Sequence, residues 1–167
     1  MDFQIHITAI YNCTLERAFK APVLGDLTKV HTGFGPLPAV TGTTNDENWG
    51  KVGAIKNILA ARSLTFCGGE VSTDKIVERI ENEYWKLQVG NFKTWMFQIW
   101  QFTVEWATKE LGPNLIQIRY SYTVHANGVL LIPFQWLFAK LFFKRYMRQV
   151  LENVRKMAEG DEPFLFD

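Results

Sequence analysis

Cysteine is scarce in this sequence. The 167 residues include two cysteines, Cys13 and Cys67, which lie far apart and in no metal-binding spacing. Two isolated thiols are typical of a protein kept in the reduced state rather than of a disulfide scaffold, although the sequence alone leaves one bridge between them open. The first residues lack the basic and then apolar pattern of a signal peptide, so we expect a cytoplasmic protein.

An excess of charge and a long hydrophobic run are also missing. The sequence contains 18 Lys and Arg residues and 17 Asp and Glu residues, whereas nucleic-acid-binding domains usually carry a basic excess. The most apolar segment, residues 129–143, is interrupted by Pro133, Gln135 and Lys140 and is shorter than the ~20 residues of a membrane-spanning helix. We therefore expect no nucleic-acid partner and no stable membrane insertion.

Catalytic and cofactor motifs are absent from the sequence as well. It contains no Gly-rich phosphate loop, no dinucleotide fingerprint and no Ser nucleophile elbow. The three histidines, His6, His31 and His125, stand alone. We expect neither a metal nor a cofactor.

What the sequence has in abundance is aromatic side chains: six Trp, five Tyr and 13 Phe. Apolar and polar residues alternate with a period of two over much of the chain, which predicts half-buried antiparallel strands joined by short turns. The predicted strands cover residues 3–11, 40–43, 52–59, 70–80, 84–89, 96–106 and 115–124.

Helices are predicted near both ends of the chain. Thr14 is a candidate N-cap for a short helix over residues 15–20, and Pro22 is expected to interrupt it and to begin a second short helix. Glycines and prolines at residues 33–38 predict a loop. A long helix is expected from about Pro133 to Glu159, ending at Gly160, with an apolar first half and one apolar stripe in its second half.

The order of these elements resembles the START-like, or Bet v 1-like, superfamily of helix-grip proteins, also called the SRPBCC or polyketide cyclase and lipid-transport superfamily. Three segments support the resemblance: residues 13–19, residues 49–56 with their Gly-x-x-Lys pattern, and residues 69–71, Gly-Glu-Val, which lie where family members often have a Glu-x-Val at the start of the next strand. The resemblance implies one α+β domain over residues 1–167. Its curved seven-stranded antiparallel sheet, in the order β-α-α-β6-α, would wrap around the long C-terminal helix and leave a cavity between them.

Candidate ligand-binding residues follow from the apolar faces that this cavity would need. Tyr120 and Tyr122 lie on an apolar strand face, and a buried phenol requires a hydrogen-bond partner, which a ligand, a water or a neighbouring side chain could supply. His31 and Phe34 lie near the expected mouth. The other candidates for the lining, each of which could equally be core, are Trp85, Leu87, Trp100, Phe102, Val104, Phe134, Leu137 and Leu141.

Candidate catalytic residues are fewer and carry no motif. One charged side chain inside the cavity could anchor a carboxylate or polarise a carbonyl, and Lys56, Glu70 and Arg119 are the candidates beside Tyr120 and Tyr122. For Arg119 the alternation with Ile118 and Tyr120 favours the solvent face.

Two functions compete for this cavity. The first is storage or transport of a small hydrophobic ligand, such as a lipid or an aromatic compound. The alternative is a cyclase, aromatase or dehydratase that positions a polyketide-like substrate. A protein-interaction role has less support, and the oligomeric state stays open. The cationic cluster Lys140, Lys144, Arg145 and Arg148 could contact an anionic membrane transiently, although its short length and the acidic residues that follow it in the same helix favour a solvated helix face.

Overall fold

The computed structural model describes residues 2–93, 99–126 and 139–167. Within these ranges, eight strands and two short helices precede the C-terminal helix. In chain order they are β1 (Asp2–Tyr11), α1 (Leu15–Leu24), α2 (Leu27–Val30), β2 (Thr32–Phe34), β3 (Leu37–Thr44), β4 (Ile55–Ala60), β5 (Gly69–Ile80), β6 (Tyr84–Gly90), β7 (Ile99–Gly112) and β8 (Leu115–Ala126). A π-helical turn, Ala139–Phe143, leads into α3 (Lys144–Glu159).

The strands form one curled antiparallel sheet in the order β1-β8-β7-β6-β5-β4-β3-β2. From β2 to β8 each strand pairs with the next along the chain, while β1 pairs with β8, Phe3 opposite Val124. Side chains alternate between the two faces, and the inner face carries the core, including Ile116, Ile118 and Ile76. The predicted α+β helix-grip class is confirmed.

The sheet has eight strands because the predicted loop over residues 33–38 is mostly strand. Thr32 pairs with Ala39 and Phe34 with Leu37, forming a tight hairpin. Gly35 occupies its turn at φ +56°, a conformation that glycine adopts without strain. Pro38 lies between Leu37 and Ala39, the two residues of β3 that pair with β2, and the β4 ladder begins after it at Val40.

Helix α1 does not break at Pro22, contrary to the expectation. Thr14 caps it as predicted, accepting a hydrogen bond from the Arg17 N–H, but the helix continues to Leu24. A proline lacks the N–H that would serve the carbonyl four residues earlier, here that of Ala18. The Trp106 indole N–H donates to this carbonyl at 3.1 Å instead, so the position is satisfied from the sheet.

Two further indoles hold α1 in the same way. Trp85 Nε1 donates to Phe19 O at 2.8 Å, and its ring stacks on the Phe19 ring with centroids 4.8 Å apart. Trp49 Nε1 donates to Val23 O, also at 2.8 Å. The helix ends at Gly25, where a Cβ atom would lie 2.5 Å from Ala21 O. Asp26 then caps α2 by accepting the Thr28 N–H.

Helix α3 lies against the sheet through one apolar stripe, as predicted. The stripe is fully buried and consists of Met147, Val150, Leu151, Val154 and Met157. The Tyr11 hydroxyl donates to Leu151 O at 2.6 Å and ties β1 to the helix, which ends at Gly160 as expected. The predicted start at Pro133 lies outside the described residues.

Lys144, Arg145 and Arg148 are exposed, and no helix within the described ranges has the length and apolar character to cross a bilayer.

The contact between Trp106 and Ala18 predicts an asymmetry between two Trp→Phe variants. In Trp106→Phe the buried Ala18 carbonyl loses its donor, and we expect a loss of about 1–3 kcal/mol in the free energy of unfolding, measured by urea denaturation. Trp85→Phe should cost less, because in a helix the Val23 N–H also serves Phe19 O.

A double-mutant cycle checks the cause. Pro22→Ala restores a backbone N–H facing Ala18 O, so it should recover part of the loss in the Trp106→Phe background and have a smaller benefit in the wild type. Equal effects of Pro22→Ala in both backgrounds would contradict this account of the proline.

Candidate functional site

Two adjacent chambers lie between the inner face of the sheet and the helices. The inner chamber has a volume of about 60 Å³ and is lined by residues of α1, α2, α3 and the strands, including Val23, Trp49, Lys56, Leu87, Val104, Trp106, Tyr120 and Val150. The outer chamber, of about 130 Å³, lies towards the β2–β3 hairpin and is lined by residues including Leu37, Val40, Ile58, Phe66, Val71, Phe92, Phe102, Phe143 and Tyr146. The wall between them is shared and consists of Leu27, His31, Asp74, Val89 and Tyr122.

The structure brings half of the candidate lining residues to these chambers. Leu87, Val104 and Tyr120 line the inner chamber and Phe102 the outer one, while His31 and Tyr122 line both. Phe34 is half-buried and lines neither. Phe134 and Leu137 lie outside the described residues.

Three other candidates lie away from the chambers, each for a local reason. Trp85 is fully buried in the core against Phe19. Trp100 is 51% exposed, because the register between β7 and β8 shifts between Ile99 and Gln101 and a bulge turns a side chain away from its expected face. Leu141, in the π-helical turn, is 48% exposed.

The catalytic candidates likewise divide into residues that line the chambers and residues that lie away from them. Lys56, Tyr120 and Tyr122 line the chambers. Arg119 is exposed on the outer face of β8, the face that its alternation with Ile118 and Tyr120 favours. The Glu70 carboxylate forms an ion pair with Lys93 at 2.7 Å, away from both chambers.

Lys56 is the most unusual residue of the site. It alternates with Ile58 and Ala60 along the inward face of β4 and is 1% exposed. Among the described residues its Nζ has no hydrogen-bond partner, and it lies 3.8 Å from the centroid of the Trp49 ring, a cation–π geometry. Burial lowers the pKa of the Lys56 ammonium to about 8, against the opposing field of nearby carboxylates, chiefly that of Asp74.

The C-terminal tail completes the cover over this lysine. The Phe166 ring lies 5.7 Å from Lys56 Nζ. The tail is held in place by the N–H groups of Leu165 and Phe166, which both donate to Leu24 O at the end of α1. The tail and α1 therefore belong to one wall.

Asp74 is the functional candidate that the sequence analysis missed. It is the register partner of Lys56 on the neighbouring strand β5, and cross-strand partners share a face of the sheet. Its Oδ1 is buried and has no hydrogen-bond partner in the part of the chain that the structure describes. Burial raises the pKa of its carboxyl to about 6, with Lys56 acting in the opposite direction. Alternation from the buried Ile76 could have found it, since Asp74 lies two residues away.

Hydroxyl and imidazole groups complete the polar lining. The Tyr120 hydroxyl donates to the Tyr122 hydroxyl at 3.0 Å, so the Tyr122 proton is available to a ligand oxygen. His31 Nδ1 lies 2.5 Å from the Tyr146 hydroxyl. Burial, and secondarily the charge of Lys56, lowers the pKa of His31 to about 4. At neutral pH the ring is therefore uncharged and can accept a hydrogen bond from the Tyr146 hydroxyl.

The site thus combines an amine, a carboxyl group and phenols inside apolar walls. Groups of this kind can donate, accept or hold a proton on a bound molecule. Within the described ranges, no three His, Cys, Asp or Glu side chains converge as metal ligands would.

The raised pKa of Asp74 predicts a pH-dependent effect of Asp74→Asn. Between its unfolded value of 3.8 and its folded value of about 6, the folded protein binds more protons than the unfolded chain, so stability falls as the pH rises through this window. The amide side chain of Asp74→Asn does not ionise, so the variant does not lose stability over this pH range in this way. Relative to wild type, the free energy of unfolding of Asp74→Asn should rise by about 2 kcal/mol between pH ~4 and ~7.

Urea denaturation across that pH range measures the difference, with Glu47→Gln as the matched control because Glu47 is exposed. A constant offset between Asp74→Asn and wild type over the whole range would contradict the buried, protonatable carboxyl.

Comparison with known proteins identifies the fold. No protein-family model matches the chain, and no curated protein matches it. Among solved structures, Ara h 8.0201, a Bet v 1 allergen, superposes with a TM-score of 0.68 at 14% identity, covering 96% of this chain and 99% of the other. A Thalictrum flavum norcoclaurine synthase point mutant in complex with a transition-state analogue gives 0.66 at 12% identity, covering 98% of each chain. The chain has the Bet v 1-like helix-grip fold.

Proposed function

We propose that the protein binds a small hydrophobic ligand, such as an aromatic compound, with one polar group directed towards Lys56 and Asp74. The observation that carries this proposal is a pair of apolar chambers whose lining holds two polar atoms, Lys56 Nζ and Asp74 Oδ1, without hydrogen-bond partners among the described residues. Buried polar atoms normally have hydrogen-bond partners. A ligand that supplies them would remove an energetic penalty that the empty site carries.

The volumes of the chambers favour a compact ligand. An apolar cavity of ~150 Å³ accommodates a benzene molecule, and the outer chamber of about 130 Å³ is close to this size. The inner chamber is smaller, at about 60 Å³, and suits the polar end. A ligand with one or two rings therefore fits the described walls better than an extended acyl chain.

The polar lining gives the bound ligand an orientation. Lys56 and Asp74 meet on adjacent strands, and Tyr122 can donate from the same wall. Inside an apolar environment a few such groups fix the direction of a ligand, while the surrounding walls supply most of the contact area. We expect an oxygen of the ligand to lie among these three side chains.

A second candidate function is a cyclase, aromatase or dehydratase reaction on a polyketide-like substrate. The specific observation in its favour is that the pKa values of Lys56 and Asp74 are both shifted towards neutrality beside the same chamber, as is common for acid–base catalysts. Turnover of a poly-β-ketone that survives both Lys56→Met and Asp74→Asn would exclude these residues as its catalysts.

Blocking the shared wall tests the binding function. Val89 lines both chambers, so the larger side chain of Val89→Phe should occupy part of both and weaken the binding of an aromatic probe such as indole at least about tenfold. Isothermal titration calorimetry measures the affinity.

Val52→Phe is the matched control, because Val52 is 60% exposed and lines neither chamber. It should bind indole as the wild type does. Equal binding by wild type and Val89→Phe, with both variants folded by circular dichroism, would count against the chambers as the binding site.

A further inference from the structure

Lys56 is placed in a way that structural stability does not require. A buried lysine is costly unless it is paired, and its Nζ makes neither a hydrogen bond nor an ion pair within 4 Å to any described residue. A methionine of similar length would fill the same space without that cost. The lysine therefore has a use that its uncharged replacement would lack.

The surroundings of the amine are those of a nucleophile. Apolar rings cover it on one side, those of Trp49 and Phe166, and the inner chamber lies beside its stem. Its four-carbon stem is flexible, so rotation about its terminal bonds can carry Nζ from the Trp49 ring to the chamber. A lysine desolvated in a hydrophobic pocket is activated as a nucleophile towards carbonyl compounds.

Proton-transfer groups stand where such a reaction needs them. Asp74 is the cross-strand partner of Lys56 and has an unpartnered Oδ1. Tyr122 lies in the same wall with a hydroxyl proton to donate. His31, the third group in the shared wall, is engaged with Tyr146.

We propose that Lys56 forms a reversible imine with the carbonyl carbon of a small aromatic aldehyde or ketone held in the chambers. This inference rests on the proposed ligand-binding function and specifies the chemical class of the ligand. The polar group of that ligand is then a carbonyl, whose oxygen lies between Asp74 and Tyr122.

The reaction balances without any further reactant. The neutral Lys56 amine donates its lone pair to the carbonyl carbon, and the carbonyl oxygen takes a proton from Tyr122 or from protonated Asp74. The nitrogen of the resulting carbinolamine gives up a proton to the carboxylate. Asp74 returns that proton to the hydroxyl group, which leaves as water while the nitrogen lone pair forms the C=N bond. The proton of the resulting iminium then restores the group that had protonated the carbonyl oxygen, and no group is oxidised or reduced.

The amount of free amine at neutral pH favours Lys56 over surface lysines. With its pKa lowered from 10.5 to about 8, the neutral fraction of Lys56 near neutral pH exceeds that of an ordinary lysine on the order of 100-fold. Labelling by a carbonyl compound at limiting concentration should therefore concentrate on one lysine.

Reductive trapping tests the proposal with benzaldehyde as the probe. The full chain is incubated with benzaldehyde and cyanoborohydride near neutral pH, and the modified lysine is located by peptide mass spectrometry. We expect a mass gain of one benzyl group, predominantly at Lys56. Lys56→Met and Lys56→Arg should lose this labelling at least tenfold, while Lys75→Met, which removes an exposed lysine of β5, should keep it.

Benzyl alcohol, which has a similar shape but no carbonyl, separates this inference from the function on which it rests. Its binding to wild type, Lys56→Met and Lys56→Arg is measured by calorimetry. Binding of benzyl alcohol with labelling spread evenly over surface lysines would overturn the imine and leave the binding function standing. Absence of both benzyl alcohol binding and Lys56 labelling would overturn the two together.

Discussion

Three indole N–H groups fix helix α1 to the rest of the molecule, and the site depends on that attachment. Trp106, Trp85 and Trp49 donate to the carbonyls of residues 18, 19 and 23 of the helix. These bonds hold α1 at a set distance from β6 and β7, and α2 follows it directly. His31 at the end of α2 is thereby placed opposite the strands that carry Lys56 and Asp74. The chambers are the space that this spacing leaves unfilled.

The same region shows a compromise between stability and function. The indoles bury large aromatic surfaces and satisfy backbone groups, which stabilises the fold. A few ångströms away, Lys56 and Asp74 are buried with unpartnered atoms, which destabilises it. Such violations of the rules for a well-packed core are expected at functional sites. The aromatic excess therefore has two roles, since some rings build the support and others, such as Phe102, line the cavity.

Most of the fold was predictable from the sequence, because two-residue alternation and turn residues are local signals. The strands, the Thr14 cap and the Gly160 stop follow from them. The predicted break of α1 at Pro22 was wrong because the donor that replaces the missing N–H, Trp106, is distant in sequence. The predicted inward orientation of Trp100 was wrong because a bulge depends on the pairing between two strands. Alternation from Ile76 indicates that Asp74 lies on the inward face of β5, but its pairing with Lys56 depends on the register between β4 and β5, which the sequence of β5 does not contain.

The pairing of β1 with β8 has a consequence for the order of folding. Strands β2 to β8 each meet a neighbour that is close in sequence, so their hairpins can close early at a small entropic cost. Strand β1 finds its partner near the other end of the sheet's sequence and therefore joins late. Until it does, the edge of β8 stays unpaired and available to another chain, which makes this edge vulnerable to aggregation during folding.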